Sequence, residues 1–416
     1  MSDQNAPIPE DALQDSAARA PEGAAPAAQS PEARAAAETA GTPVDITDGG
    51  PEMVQFLTAE GERVETELNA PYAHYLQGVD DEFLKALYRD MVLVRRVDAE
   101  GFALQRQGEP GLWPSLLGQE AAQVGLGRAL KPQDYVFPGY REHGLAWTKG
   151  VPPENLLGMF RGVNHGGWDS KENNFHLYTI VIGNQMLHAT GYARGVQLDG
   201  AWATGDDTVD TAVVACTGDG GTSQGDYNEA MVFAAVAKSP CVFFVQNNQW
   251  AISEPTHRNF VIEPFKRAAG FGFPGVRVDG NDVLASMAVG AWALDHARSG
   301  KGPVLVEAFT YRMGAHTTSD DPTKYRDDAH VQAWKAKDPI DRLKKHMVAR
   351  GVGDDEYFAA VDAEADELAA RVRKACQTMP DPELATMFDH TYSGEHAPLT
   401  DEGRAFVEYH AGFEGN

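Results

Sequence analysis

Cysteine, positive charge and long apolar runs are all scarce in this chain, and each scarcity excludes a class of protein. The 416 residues contain three cysteines, and no CxxC pair or metal-ligand spacing connects them. This favours free thiols in a reducing compartment over a disulfide framework, so we expect a cytoplasmic protein. No apolar run approaches the roughly 18 residues of a membrane span. The first residues, MSDQNAPIPED, lack the basic and apolar regions of a secretory signal.

Acidic residues outnumber basic residues by 61 to 35, which gives a formal net charge of −26. Nucleic acid and anionic membranes attract clustered lysine and arginine, so we expect neither as a partner. The hydrophobic content of 43% is enough for one large domain with a substantial core.

Composition and periodicity divide the chain into four parts. Residues 1–50 are rich in Ala, Pro and Glu, and we expect them to form a disordered tail. Strand and helix patterns alternate within residues 51–335, which predicts a doubly wound α/β domain with a mostly parallel sheet. Residues 336–390 have the pattern of amphipathic helices and are predicted to form a C-terminal helical extension. Residues 391–416 are predicted to be a surface tail.

The most informative stretch is residues 211–252. An apolar, β-branched run ends on GDGG at 218–221, and a second apolar run ends on QNN at 246–248. The helical pattern between them predicts Asp226 as the N-cap, with Glu229 completing a capping box. A strand, a helix and a second strand form a βαβ unit with parallel strands. Both polar clusters are therefore expected at strand carboxyl ends, where open α/β sheets bind ligands.

The residue types at these two strand ends fit a diphosphate held through Mg²⁺. Asp219 offers a carboxylate oxygen, Asn248 an amide oxygen and Trp250 a backbone carbonyl oxygen. Magnesium takes six oxygens in octahedral geometry and commonly draws several of them from phosphate and water. Glycine allows a tight turn and a close approach of backbone N–H groups to phosphate. The candidates for this cofactor-binding role are Gly218, Gly220 and Gly221, with Gln246 at the end of the second strand.

Spacing makes this signal specific. Gly218-x-Gly220-x-x-Ser223 approaches a dinucleotide fingerprint, but the third glycine is missing, and a bare GDG is often only a turn. Here 26 residues separate the GDG sequence from the NN pair, and this combination is the thiamine diphosphate motif. TGDGGTSQGD and QNNQWAIS further resemble the α subunit of the E1 component of 2-oxo acid dehydrogenase complexes. The resemblance covers about residues 55–390.

The resemblance implies cofactor contacts elsewhere in the chain. It places Tyr140 and Arg141 against the diphosphate, and the planar donor fork of arginine suits that role. His143 lies in a position that the family places near the cofactor, but a structural histidine fits it equally well. The β-branched run 179–182 is predicted to be a strand. By resemblance, the Ile180 backbone at the end of this run holds the aminopyrimidine ring of the cofactor. The Ile182 side chain, also by resemblance, holds the cofactor in its bent form.

A second polar loop follows the predicted strand 303–309. Its sequence, YRMGAHTTSDDPTKYR, resembles the E1 α loop that closes over the cofactor diphosphate. The match assigns catalytic roles to Arg312 and His316, both near the substrate and the diphosphate. A histidine can hydrogen-bond phosphate or exchange a proton with the lipoyl acceptor.

The resemblance implies thiamine diphosphate-dependent oxidative decarboxylation of a 2-oxo acid, with transfer of the acyl group to a lipoyl group on the E2 acyltransferase. The matched motifs supply the diphosphate half of the site but no glutamate for the pyrimidine N1′. In this family that glutamate belongs to a separate β subunit. We therefore expect an α₂β₂ heterotetramer whose α chain is inactive alone.

At this point, alternatives remain for the substrate and for the class of function. HTTSDD is closer to the loop of branched-chain enzymes, which favours a substrate of the 3-methyl-2-oxobutanoate type, whereas TGDGGTSQGD is more like pyruvate enzymes. A transketolase or carboligase would share the GDG and NN motifs, although such enzymes usually carry the activating glutamate within one longer chain. A non-catalytic α-like structural subunit would be expected to lose Asp219, Asn248 or His316, and all three are present.

Overall fold

The computed structural model describes residues 50–163, 167–389 and 391–413. The predicted disordered tail therefore lies, apart from its last residue, outside the described residues. A sheet of six parallel strands organises the described chain. The prediction of a doubly wound parallel sheet is thus confirmed. Its strands are β1 (Met53–Val54), β2 (Tyr135–Phe137), β3 (Val213–Gly218), β4 (Cys241–Asn247), β7 (Gly275–Asp279) and β8 (Val304–Phe309). They lie side by side in the order β1-β7-β8-β4-β3-β2. A separate antiparallel pair is formed by β5 (Trp250–Ala251) and β6 (Glu254–Pro255).

Helices cover both faces of this sheet. They are α1 (Asp81–Arg106), α2 (Glu120–Ala129), α3 (His143–Thr148), α4 (Pro153–Arg161), α5 (Ser170–Asn173), α6 (Asn184–Leu198), α7 (Gly225–Ala237), α8 (Thr256–Asn259), α9 (Pro264–Phe271), α10 (Val283–Arg298), α11 (Asp328–Lys335), α12 (Pro339–Ala349), α13 (Asp355–Thr378), α14 (Thr386–Asp389) and α15 (Ala397–Ala411). Within the described residues, no helix combines the length and apolarity needed to cross a membrane.

Alternate residues of the central strands enter two different cores. Val214 and Cys216 pack with α1, α2 and α10, whereas Val213 and Ala215 pack with α6 and α7. Successive strand side chains point to opposite faces, so a strand buried on both sides is apolar throughout. This explains why β3 and β4 are continuous hydrophobic runs in the sequence.

The predicted βαβ unit is present as β3, α7 and β4. Gly218 pairs with Gln246 across the two strands, and Asn247 pairs with Phe309 of β8. The carboxyl ends of β3, β4 and β8 therefore lie at one edge of the sheet, and this edge collects the polar sequences that follow the three strands.

Two local predictions are wrong. Residues 179–182 are not a strand: Thr179 donates its backbone N–H to the Gly139 carbonyl (2.9 Å), and the rest of the segment has no strand partner in the described chain. The N-cap of α7 is not Asp226 but Gln224, whose side chain accepts from the Gly225 N–H. A 3₁₀ turn over Asp219–Ser223 leads into α7 and starts the helix early.

Candidate active site

A cavity of about 440 Å³ opens at the carboxyl ends of β3 and β4. Every residue that the sequence analysis assigned to the site lines this cavity. They are Tyr140, Arg141, Ile180, Ile182, Gly218, Asp219, Gly220, Gly221, Gln246, Asn248, Trp250, Arg312 and His316. The structure thus brings together residues from five separate segments of the chain.

At two of the three glycines, neighbouring atoms leave no space for a Cβ atom, and this explains the choice of glycine better than backbone conformation does. None of them has a positive φ angle. A Cβ atom at Gly220 would lie 2.6 Å from Ala251 Cβ, and one at Gly221 would lie 2.1 Å from Thr217 Oγ1. A Cβ at Gly218 would meet only the Gln246 carbonyl oxygen, at 4.0 Å, so this position faces open space. Gly218 therefore leaves the cavity floor free for a ligand.

Asp219 is the most perturbed carboxylate at the site. Its side chain is 1% exposed, and its Oδ2 atom has no hydrogen-bond partner within the described residues. Burial raises the pKa of Asp219 to about 7, and the charge of Arg312 only partly offsets that effect. An unpaired carboxylate oxygen is costly to bury, so its retention beside a cavity indicates a ligand that satisfies it.

Asn248 and Trp250 complete the predicted metal set. The Asn248 Nδ2 atom donates to Gln119 Oε1 (3.2 Å), and the Trp250 backbone N–H donates to Asn248 Oδ1 (3.3 Å). The Trp250 carbonyl oxygen accepts from Arg312 Nη1 (2.8 Å) and has a second lone pair. These three oxygens fit Mg²⁺ only if phosphate and water complete the shell. The described residues contain no cluster of three or more His, Cys, Asp or Glu able to hold a metal.

Two arginines flank His316. Arg141 donates through Nη2 to the His316 carbonyl oxygen (2.9 Å), and the same nitrogen lies 3.2 Å from His316 Nδ1. Arg312 Nη1 lies 3.4 Å from that Nδ1 atom. Both guanidiniums can only donate, so Nδ1 must accept and the imidazole proton must lie on Nε2.

This arrangement keeps His316 neutral. Burial lowers the pKa of His316 to about 3, and the charges of Arg141 and Arg312 add to the effect. The same desolvation, with Arg141 nearby, lowers the pKa of Arg312 to about 10. At neutral pH His316 is therefore an uncharged imidazole with its proton on Nε2.

Hydrogen bonds at both ends hold the loop that contains His316. The Asp320 carboxylate accepts from the His316 backbone N–H (2.8 Å) and from the Tyr325 hydroxyl. Arg312 donates to the same hydroxyl (3.1 Å) and to the Ile252 carbonyl (2.6 Å). These contacts hold the loop against the cavity.

Apolar side chains also line the cavity. Leu112, Phe160, Ile180 and Ile182 line the cavity, and Ile180 and Ile182 are 57% and 43% exposed. Large apolar side chains with this exposure are available to an apolar ligand group. Their support for a cofactor ring stays a prediction.

His143 is a structural residue. Its imidazole stacks on Trp113 at a centroid distance of 4.5 Å, its Nδ1 pairs with the Tyr178 hydroxyl (2.8 Å), and its Nε2 pairs with the Pro114 carbonyl (3.0 Å). Both ring nitrogens are satisfied in the core. The histidine is therefore not among the residues that line the cavity.

Some buried polar residues at the cavity were not predicted from the sequence. Among them are Gln119, Glu142 and Gln185. Glu142 accepts from Gln246 Nε2 (2.7 Å), and burial raises the pKa of its carboxyl group. Gln185 donates to the Cys216 carbonyl (2.7 Å). Each lies near a helix start, where polar residues are common, so only the fold shows that they face the site.

Several known proteins are similar in sequence to this chain. The sequence model of the family described as Dehydrogenase E1 component matches residues 88–385. The chain is 43% identical over 321 residues to the 3-methyl-2-oxobutanoate dehydrogenase subunit alpha of Mycobacterium tuberculosis, covering 77% of this chain and 85% of that protein. It is 36% identical to the pyruvate dehydrogenase E1 component subunit alpha of Acholeplasma laidlawii, over 79% of this chain and 94% of that protein. The Staphylococcus epidermidis protein with the same description is 34% identical, over 79% and 85% of the two chains.

Proposed function

This chain belongs to the dehydrogenase E1 component family, and from that premise we propose that it is the α subunit of a branched-chain 2-oxo acid dehydrogenase. The proposed reaction is oxidative decarboxylation of a substrate of the 3-methyl-2-oxobutanoate type, with transfer of the acyl group to the lipoyl group of E2. Thiamine diphosphate and Mg²⁺ are the proposed cofactors.

The observation that carries this proposal is the unpaired Oδ2 atom of buried Asp219. It lies in a cavity lined also by Asn248 and by a guanidinium pair suited to a diphosphate. A carboxylate, an amide and a carbonyl oxygen leave room for phosphate oxygens around Mg²⁺. When bound, thiamine diphosphate supplies the carbanion-stabilising chemistry that releases CO₂ from a 2-oxo acid.

The side chains of this protein would bind the cofactor, orient it and transfer protons. Arg141 and Arg312 would neutralise the diphosphate, because both are buried, charged and directed toward the His316 side of the cavity. His316 would donate from Nε2, since the arginines occupy the Nδ1 side of the ring. The lipoyl sulfur or the substrate is the proposed recipient of that hydrogen bond.

The β subunit is proposed as a partner because the cavity lacks an available activating carboxylate. Asp219 and Glu142 are the carboxylates that line the cavity within the described residues. The first is proposed for the metal, and the second is hydrogen-bonded to Gln246. A glutamate from a β subunit would complete the site in an α₂β₂ assembly. A lipoylated E2 acyltransferase is proposed as the acceptor.

Pyruvate is the second candidate substrate. Pyruvate dehydrogenase α subunits are 34% to 36% identical to this chain, against 43% for the branched-chain relative. The apolar wall formed by Leu112, Phe160 and the two isoleucines offers contacts for a branched side chain, which favours the branched-chain substrate.

A reconstitution assay tests the proposal. The chain is co-purified with a β subunit and given thiamine diphosphate and Mg²⁺, and an artificial electron acceptor reports decarboxylation. We expect turnover only with both subunits, with a higher kcat/KM for 3-methyl-2-oxobutanoate than for pyruvate. A higher kcat/KM for pyruvate would replace the substrate assignment. Bound cofactor without turnover of either acid would contradict the proposed reaction.

A further inference from the structure

We propose that Gln119 is a positioning residue that sets the orientation of the Asn248 carboxamide, so that its oxygen and not its nitrogen faces the metal site. This inference rests on the proposed function, because it concerns the Mg²⁺ site assigned there. It assigns a role to a buried side chain for which the sequence offered none.

The orientation of Asn248 matters because its two ends are chemically opposite. A carboxamide binds Mg²⁺ through oxygen, whereas its NH₂ group is a donor that repels a cation. The two orientations have nearly the same shape, so packing alone discriminates poorly between them. A hydrogen-bond acceptor that is fixed on the nitrogen side would select the productive orientation.

Gln119 supplies an acceptor on that side. Its Oε1 atom accepts from Asn248 Nδ2 at 3.2 Å, and this is the side chain's one hydrogen bond among the described residues, since its Nε2 atom has no partner there. The side chain is 0% exposed and lines the cavity. On the other side of the amide, Asn248 Oδ1 accepts from the Trp250 N–H at 3.3 Å. Nitrogen thus faces the start of helix α2 and oxygen faces β5, while the residue itself lines the cavity.

The backbone around Gln119 is held rigidly enough for this role. Gly118 has a φ of +96°, and a Cβ there would lie 2.5 Å from the Tyr311 carbonyl oxygen, so only glycine fits. The Gly118 carbonyl accepts from Thr310 Oγ1 (2.9 Å), and its N–H donates to Glu120 (3.0 Å). Glu120 in turn is paired with Arg95 (2.8 Å). The start of α2 therefore packs closely against the segment after β8, beside the proposed metal site.

The test is a double-mutant cycle on the full chain co-purified with its β subunit. The apparent Kd for Mg²⁺ is measured at saturating thiamine diphosphate by quenching of tryptophan fluorescence. Gln119→Met keeps the size of the side chain and removes the acceptor. We expect the Kd for Mg²⁺ to rise 10- to 100-fold, the range typical when a residue that orients a metal ligand is lost. Gln119→Glu restores an acceptor and should recover most of this loss.

The second arm uses Asn248→Asp, because a carboxylate has two equivalent oxygens and needs no orienting partner. In that background Gln119→Met should change the Kd by less than threefold. An equal loss in both backgrounds, or no loss in the first, would overturn the proposal. Gln107→Met, at an exposed glutamine after α1, is the matched control and should leave the Kd unchanged. Failure of the wild-type protein to bind Mg²⁺ with thiamine diphosphate would instead overturn the proposed function.

Discussion

Arg141 Nη2 lies 3.2 Å from His316 Nδ1 and donates to the backbone carbonyl of the same histidine at 2.9 Å. One guanidinium therefore fixes both the position of the loop and the tautomer of its imidazole. The two residues are 175 positions apart in the chain. Their contact joins the segment after β2 to the segment after β8 across the mouth of the cavity.

This contact predicts the effect of Arg141→Met on His316. Removing the positive charge and admitting water should raise the pKa of His316 from about 3 toward 6.5. Carbon-13 NMR of histidine-labelled protein would follow the titration. The wild-type signal should not titrate between pH 5 and 8, whereas the variant signal should move toward that window. A wild-type midpoint near 6.5 would contradict the neutral assignment.

The same depressed pKa has a consequence for stability against pH. The folded-state pKa of His316 lies below that of the unfolded chain, so the unfolded state binds the proton first as pH falls. The contribution of His316 to stability is present above about pH 6.5 and is lost as the pH falls toward 3. Relative to His316→Gln, the wild-type protein should therefore lose stability faster in this window. Chemical denaturation at several pH values measures the difference, and parallel curves would contradict the prediction.

Asp219→Asn should stabilise the protein in the absence of ligand. The folded-state pKa of about 7 exceeds the ordinary aspartate value, so the unfolded state releases its proton first as pH rises. The unliganded wild-type protein should lose stability between about pH 4 and 7, by an amount on the order of a few kcal/mol. Thermal melting of Asp219→Asn should lack this loss. Glu229→Gln, at an exposed residue of α7, is the control for charge removal.

The three glycines should behave differently when each is changed to alanine. Gly220→Ala should destabilise the fold by about 1–3 kcal/mol, because the new Cβ meets Ala251 Cβ at 2.6 Å. Ala251→Gly in the same chain removes the opposing atom and should restore much of the stability. Gly218→Ala should melt close to the wild type but bind thiamine diphosphate more weakly, because its Cβ occupies the cavity floor. Equal melting shifts for Gly218→Ala and Gly220→Ala would contradict this account.

Much of the fold and of the site could be predicted from the sequence, for an identifiable physical reason. Strands β3 and β4 are buried on both faces and begin as apolar runs, so the polar sequences at their carboxyl ends, which contain Asp219 and Asn248, stand out. Parallel strands place such ends at one edge of a sheet, so the sequence alone predicts that these two residues lie close together.

The wrong and missed predictions depend on tertiary context. Residues 179–182 have strong strand propensity, but β propensity depends on a neighbouring strand, and this segment lies beyond the end of β2. Helix α7 starts at Gly225 because the preceding 3₁₀ turn runs directly into it, so the capping box at Asp226 does not form. Gln119 gave no local signal, since its role depends on Asn248, 129 positions away.

The most direct test of the account is calorimetric titration of thiamine diphosphate into the full chain co-purified with its β subunit. Wild-type protein and Asp219→Ala are compared with Mg²⁺ and with a chelator. We expect the wild type to bind with Mg²⁺ at least tenfold more tightly than without it, and Asp219→Ala to bind equally weakly in both conditions. Mg²⁺-dependent binding by Asp219→Ala at wild-type affinity would contradict the central claim that this buried carboxylate holds the metal of a thiamine diphosphate site.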